Sequence, residues 1–266
     1  MPEGPEVKNM GQYLNNFFKD NIIKSVKILK GRYINKGPPC GFHYFTEKLP
    51  LKSISCRTKG KFIYIMLENN IYIFNSLGMS GFWTSDKLKH SNVEFVTKKG
   101  TIYFTDQRNF GTLKFIFTQK ELELKLLTIG PDLLNESLNF EDFYKRITLK
   151  RNQNKMIAKV LMDQKTISGI GNYLRSEILW HTKMSPFTLV SKLNRNKIKE
   201  LFEICRKVIW SFYNIRISLK KKIINKSEMH KYNFFNIYSQ EYDKLGNKVL
   251  KEKIDKRTVH YSNIQN

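Results

Sequence analysis

The apolar residues of this chain change their spacing once, and that change limits the folds open to it. From Ile22 to Phe117 they fall in short alternating or continuous β-prone runs: Ser25–Leu29, Phe62–Leu67, Ile71–Asn75, Phe95–Thr97, Ile102–Thr105 and Thr112–Phe117. Clusters such as Asn35–Pro39 and Lys98–Gly100 separate the runs, a texture that predicts an all-β sandwich or barrel. From Phe140 the spacing becomes three and four residues. It predicts helices over Phe140–Ile147, Ile157–Asp163, Tyr173–Thr182 and Lys197–Asn214. Gly130–Phe140 reads as the connector, with Gly-Pro stopping the segment before it.

Two further elements flank this plan. Val7, Met10, Leu14 and Phe17 share one face of a helix over Glu6–Phe18. Near the other end, Phe234–Tyr238 and Lys248–Ile254 are β-prone around a turn signal at Leu245–Asn247, which predicts a hairpin. Lys220–Lys231 reads as a polar, basic loop.

Charge narrows the partner. Lys and Arg number 47 against 23 Asp and Glu, a net charge of +24. Such a surplus favours a polyanion, most often nucleic acid, although a lysine-rich composition bias supplies the same signal. The three cysteines, Cys40, Cys56 and Cys205, form no C-x-x-C pair, so neither a disulfide framework nor a zinc site follows from their spacing. No apolar run approaches the roughly 18–20 residues of a membrane span, so a soluble, intracellular protein is expected.

Two stretches hold candidate chemistry. The chain opens MPEGPE, unlike a secretory signal. Either this is a helix preceded by prolines, or removal of Met1 exposes Pro2 as a free secondary amine beside Glu3. The second stretch is Gly169-Ile170-Gly171-Asn172, between two helical segments. Glycines ahead of a helix let backbone N–H groups approach a phosphate, and the helix dipole adds attraction. The same glycines also suit a tight helix–helix turn that binds nothing.

MPEGPEV, TKGKF, LGMSG, TDQRNFG, MDQKTISGIGNYLRSE and a late RT pair occur in this order along the whole chain. In this the chain resembles the formamidopyrimidine-DNA glycosylase and endonuclease VIII family. The resemblance implies an α+β fold of two domains: a catalytic β-sandwich over residues 1–127, a linker over 128–140, a helix-two-turn-helix domain over 141–231, and a hairpin finger over 232–266. It also implies a bifunctional enzyme of base-excision repair, which removes an oxidised base and cuts the strand at the abasic site. The expected partner is damaged DNA, the expected state a monomer. No nucleotide fingerprint is present, and no cofactor is implied.

The resemblance assigns roles by position. Pro2 is the amine nucleophile; an α-amino group titrates near pH ~8, so it is largely neutral without deep burial. Glu3 is its proton-transfer partner, and Glu6 a supporting acid, although acids in a first helical turn also complement the dipole. Lys61 contacts phosphate and assists catalysis, with Lys59 the weaker candidate. Asn172, Gly171 and Arg257 join Lys61 on the DNA backbone. Met79, Arg108 and Phe110 fill the gap left by the flipped nucleotide; a core position is the alternative for Met79 and Phe110.

Many members end in a finger with two C-x2-C pairs on zinc. Aligning the late RT places those four positions at Tyr242, Leu245, Ser262 and Gln265, none a cysteine. A zincless finger is therefore expected, as in the animal and large-DNA-virus endonuclease VIII-like branch. That branch implies a preference for oxidised pyrimidines and hydantoins, read by a loop within Arg216–Lys231. The competing readings are a non-catalytic helix-two-turn-helix DNA-binding protein and a basic packaging protein.

Overall fold

The structure is a computed structural model that describes residues 1–218 and 234–265. It divides into two compact units. The first comprises Met1–Pro2 and Glu6–Thr128, the second Glu3–Pro5 and Ile129–Asn266. The loop expected within Arg216–Lys231 lies almost wholly outside the described residues, as does the basic loop Lys220–Lys231.

Helix α1 (Gly4–Phe18) begins the chain. Val7, Met10, Leu14 and Phe18 are buried along one stripe. Phe18, rather than Phe17, takes the last core position, four residues after Leu14, and sets its ring edge-on to Trp83 and Phe95.

Eight strands form one antiparallel sheet: β1 (Asn21–Ile28), β2 (Leu51–Lys59), β3 (Phe62–Leu67), β4 (Tyr72–Ser76), β5 (Phe82–Thr84), β6 (Ser91–Thr97), β7 (Gly100–Thr105) and β8 (Thr112–Ile116). Their spatial order is β5-β7-β6-β1-β2-β3-β4-β8. Short helices α2 (Arg32–Asn35) and α3 (Phe42–Glu47) join β1 to β2, and α4 (Gln119–Leu127) follows β8. The sheet curls into a sandwich. Trp83 on β5, at one end of the order, donates its indole N–H to Asn75 Oδ1 on β4, six places away, at 3.0 Å.

Sequence periodicity misses β2 because its inward face is partly polar. Ser53 is fully buried and donates to the carbonyls of Phe18 and Asn21. A register shift between Ser53 and Ser55 further breaks the alternation. Strand β5 has only three residues, too few to show a period.

The second unit holds α5 (Phe140–Ile147), α6 (Ile157–Val160), α7 (Asn172–His181) and α8 (Arg195–Ser218). Asn139 caps α5 by accepting from Asp142 N at 2.9 Å. Every residue of α7 from Tyr173 to Trp180 is buried, so this helix is the centre of the unit rather than one of its faces.

The terminal hairpin differs from expectation. It pairs β9 (Leu250–Ile254) with β10 (Arg257–Tyr261) around Asp255–Lys256, both with positive φ, as a two-residue type I′ turn requires. Phe234–Tyr238 is not a strand. The backbone N–H groups of Asn236, Ile237 and Tyr238 all turn toward the buried carboxylate of Glu177, at 2.9–3.1 Å. Leu245–Asn247 turns, but not as the tip of the hairpin.

Candidate active site

In the second unit, Glu3 and Gly4 are seated against the start of α7 and the glycines ahead of it. The first N–H groups of a helix lack intrahelical partners and favour an anion. Here Glu3, 2% exposed, supplies it. Its Oε2 accepts from Gly171 N at 2.7 Å and Leu174 N at 3.3 Å, and its Oε1 from Tyr173 N at 3.0 Å. Gly4 N donates to Gly169 O at 2.8 Å beside it. A Cβ at position 171 would overlap the Glu3 carboxyl group. Gly171, expected among the phosphate contacts, directs its N–H inward in this structure. That donor is already taken by a carboxylate of the chain itself, and glycine is required for Glu3 to come this close.

Asn172 stands one residue further on. Its Nδ2 donates to Thr258 O at 2.9 Å, and its Oδ1 accepts from Arg175 Nη2 at 2.6 Å. Arg175 also donates to Thr258 O at 3.0 Å. The two side chains therefore fasten α7 to β10 at the residue after Arg257, which is exposed. Arg175 is 1% exposed. Burial lowers its pKa to about 10; Glu3 works against that lowering, and Arg257 adds to it.

The remaining candidates belong to the first unit. Pro2 is half-buried, and Glu6 is buried in the first turn of α1. Lys61 lies in the two-residue turn Gly60–Lys61 between β2 and β3, half-exposed. Lys59 donates to Leu126 O at 2.8 Å, near the end of α4.

Met79 and Phe110 are 40% and 55% exposed, so neither is core. They ride on two loops held together by Asp106, a residue that sequence reasoning passed over. Asp106 is 1% exposed. Its Oδ1 accepts from Ser80 Oγ at 2.5 Å and Arg108 N at 3.3 Å, and its Oδ2 from Gly111 N at 2.6 Å. A Cβ at Gly78 would lie 2.5 Å from the backbone of Phe110 and Gly111, so the loops meet main chain to main chain. The Arg108 guanidinium lies 5.3 Å from the Phe110 ring centroid, a cation–π distance. One exposed cation and two exposed apolar side chains thus project from one braced loop pair.

The finger positions do not fit zinc. Tyr242 and Leu245 are exposed, and neither offers a thiolate or imidazole. Ser262 and Gln265 are spent on each other and on their surroundings: Gln265 Oε1 accepts from Ser262 N at 2.9 Å, and Gln265 Nε2 donates to Met184 O at 3.1 Å. The hub is instead Asp243, 5% exposed. It accepts from Trp180 Nε1 at 2.9 Å, Ser262 Oγ at 2.8 Å, Leu245 N at 2.9 Å and Asn247 N at 2.9 Å. Burial opposes ionisation of this carboxyl, but the bonds from Trp180, Ser262 and Asn247 outweigh it and lower the pKa to about 2. Among the described residues no group of three or more His, Cys, Asp or Glu is placed to hold a metal, and no helix is long and apolar enough to cross a membrane.

Comparison with known proteins agrees with this architecture. Residues 1–113 match the formamidopyrimidine-DNA glycosylase N-terminal domain, and residues 129–223 match the formamidopyrimidine-DNA glycosylase H2TH domain. A formamidopyrimidine-DNA glycosylase of Lactobacillus helveticus is 32% identical over 219 residues, covering 79% of this chain and 76% of its own length. One from Ureaplasma parvum is 27% identical over 291 residues and covers all of both chains. The fold matches the Lactococcus lactis enzyme bound non-covalently to DNA containing an abasic site, with a TM-score of 0.82, 21% identity and 99% of each chain covered. These relatives are bacterial formamidopyrimidine-DNA glycosylases, so the likeness is to that family at large rather than to the zincless endonuclease VIII-like branch. With both domains matched in chain order and a relative at 32% identity, the chain belongs to the formamidopyrimidine-DNA glycosylase family.

Proposed function

We propose that this protein is a bifunctional DNA glycosylase and abasic-site lyase that acts on oxidised bases through Pro2. The observation that carries the proposal is Glu3, held by three backbone N–H groups at the start of α7, those of Gly171, Tyr173 and Leu174, and joined to Pro2 by one peptide bond. A carboxylate this firmly placed beside a terminal amine suits general acid–base work at a sugar.

The steps follow from the residues. Removal of Met1 frees the Pro2 amine. Its lone pair attacks C1′ of the damaged nucleotide, the bond from C1′ to the base breaks, and the base leaves with the bonding electrons and takes up a proton. Glu3 moves protons at the sugar as the ring opens, giving a Schiff base between Pro2 and C1′. Loss of a proton from C2′ then expels the 3′ phosphate, and a second elimination expels the 5′ phosphate. Glu6 supports this acid–base pair, Lys61 faces phosphate, and Asn172 and Arg257 hold the backbone near the lesion. Met79, Arg108 and Phe110 fill the vacancy in the stack.

The finger has no zinc ligands at the aligned positions, which supports a place beside the zincless members of the family. With it goes a preference for oxidised pyrimidines and hydantoins. Borohydride trapping on duplex DNA with one abasic site tests the central claim. The covalent adduct is expected at Pro2, and a form that retains an extra residue before Pro2 should not trap. Undiminished trapping by that blocked form would falsify the role of Pro2, and the absence of any trapping would favour a non-catalytic DNA-binding protein. A set of duplexes with single defined lesions tests the preference.

A further inference from the structure

We propose that Arg175 is a positioning residue that presets the Asn172 amide and the start of β10 for a DNA phosphate. The proposal rests on the phosphate roles given above to Asn172 and Arg257.

An asparagine amide has two ends of opposite character, and only one suits an anion. Oδ1 accepts and Nδ2 donates, whereas a guanidinium only donates. With Arg175 Nη2 at 2.6 Å, the oxygen end is fixed inward. The nitrogen end carries two hydrogens. One is directed at Thr258 O at 2.9 Å, and the other is left for an acceptor outside the pair. Without Arg175 the amide is free to rotate and set its oxygen lone pairs against the phosphate.

Arg175 acts on Arg257 as well. Thr258 O receives both Arg175 Nη2 and Asn172 Nδ2, which pins the main chain one residue beyond Arg257. Arg257 is the exposed end of the arrangement, and Arg175 is its buried support.

A residue with only a packing task would be poorly chosen here. Burying a guanidinium is costly unless all its donors are met. Arg175 Nε has no hydrogen-bond partner, and although the Glu3 carboxylate attracts the guanidinium, the neighbouring Arg257 repels it. A bound phosphate offsets that repulsion, so the arrangement already formed in the free protein gains further in the complex.

The test is a double-mutant cycle in the full-length protein. Arg175→Met, Asn172→Ala and the pair are compared for affinity to a duplex carrying a tetrahydrofuran abasic analogue. Each single change should weaken binding roughly 10- to 100-fold, the loss expected for charge-assisted hydrogen bonds. The double variant should lose clearly less than the product of the two single losses, because the two side chains act largely as one unit. Arg175→Lys keeps the charge but not the fork, and should recover only part of the loss. Losses that multiply in the double variant, or wild-type affinity in Arg175→Met, overturn the proposal. If Asn172→Ala and Arg257→Ala both bind as wild type, it is the phosphate reading that fails. Should Arg175→Met not fold, Arg175→Gln enters the same cycle under the same criteria.

Discussion

Replacing Asp243 by asparagine should loosen the finger, by an amount that the structure allows to be worked out. The carboxylate accepts on both oxygens, from Trp180 and Ser262 on one and from Leu245 and Asn247 backbone N–H groups on the other. An asparagine has the same shape but turns one of those oxygens into a donor, so one set of buried donors loses its acceptor. Each unsatisfied group costs about 1–3 kcal/mol. A second route gives a similar figure. Lowering a carboxyl from 3.8 to about 2 on folding is worth roughly 2 kcal/mol at neutral pH. The sign is that of a depressed acid: the stabilisation is fully present above the unfolded pKa near 4 and is lost as pH falls through the folded value near 2. Denaturant unfolding of wild type and Asp243→Asn at pH 7, and at steps down to pH 2, should show a gap of about 2–3 kcal/mol that closes below pH 4. The indole N–H resonance of Trp180 reports the same change locally. A variant as stable as wild type at pH 7, or a gap that does not narrow in acid, refutes the hub.

Four other expectations follow from the site. Gly171→Ala pushes the Glu3 carboxyl from its seat; base release in a single turnover should fall about 100-fold in a folded protein, and a rate within threefold of wild type would exclude the need for close approach. Asp106→Ala removes the acceptor for Ser80, Arg108 and Gly111, and affinity for a lesion-containing duplex should drop about tenfold in a titration, against little change for single strands. Arg257→Ala should reduce the slope of log affinity against log salt by about one, and an unchanged slope removes it from the phosphate contacts. Chelators should leave strand cleavage and thermal stability unchanged; activity restored by added zinc after chelation would contradict a finger held by hydrogen bonds at Asp243, Ser262 and Gln265.

Much of the architecture was legible because the period changes where the fold does. Phe62–Leu67 and Phe140–Ile147 lie as their apolar spacing predicts. Two of the errors share a cause. Where buried polar groups do the structural work, hydrophobic spacing is silent. Ser53 hid β2, and Glu177 drew Phe234–Tyr238 out of the extended state despite its β-prone composition. The site shows the same limit. Glu3, Met79 and Phe110 are candidates because they stand in short motifs, and the structure seats Glu3 and leaves Met79 and Phe110 exposed. Asp106, Arg175 and Asp243 each also act through a distant partner, such as Ser80, Thr258 or Trp180, that only the fold brings near.

The seat of Glu3 also sets an order of events during synthesis. Its first partner, Gly171, lies 168 residues further along the chain. At about 5–20 residues per second, roughly 8–35 seconds pass between translation of the two. Throughout that interval the carboxylate beside the proposed reactive terminus has no helix end to seat it. A chain interrupted before α7 would carry the amine, the acid and a complete β unit, yet have no helix end to align them. Competence for base removal thus arrives late and all at once, as a property of the finished chain.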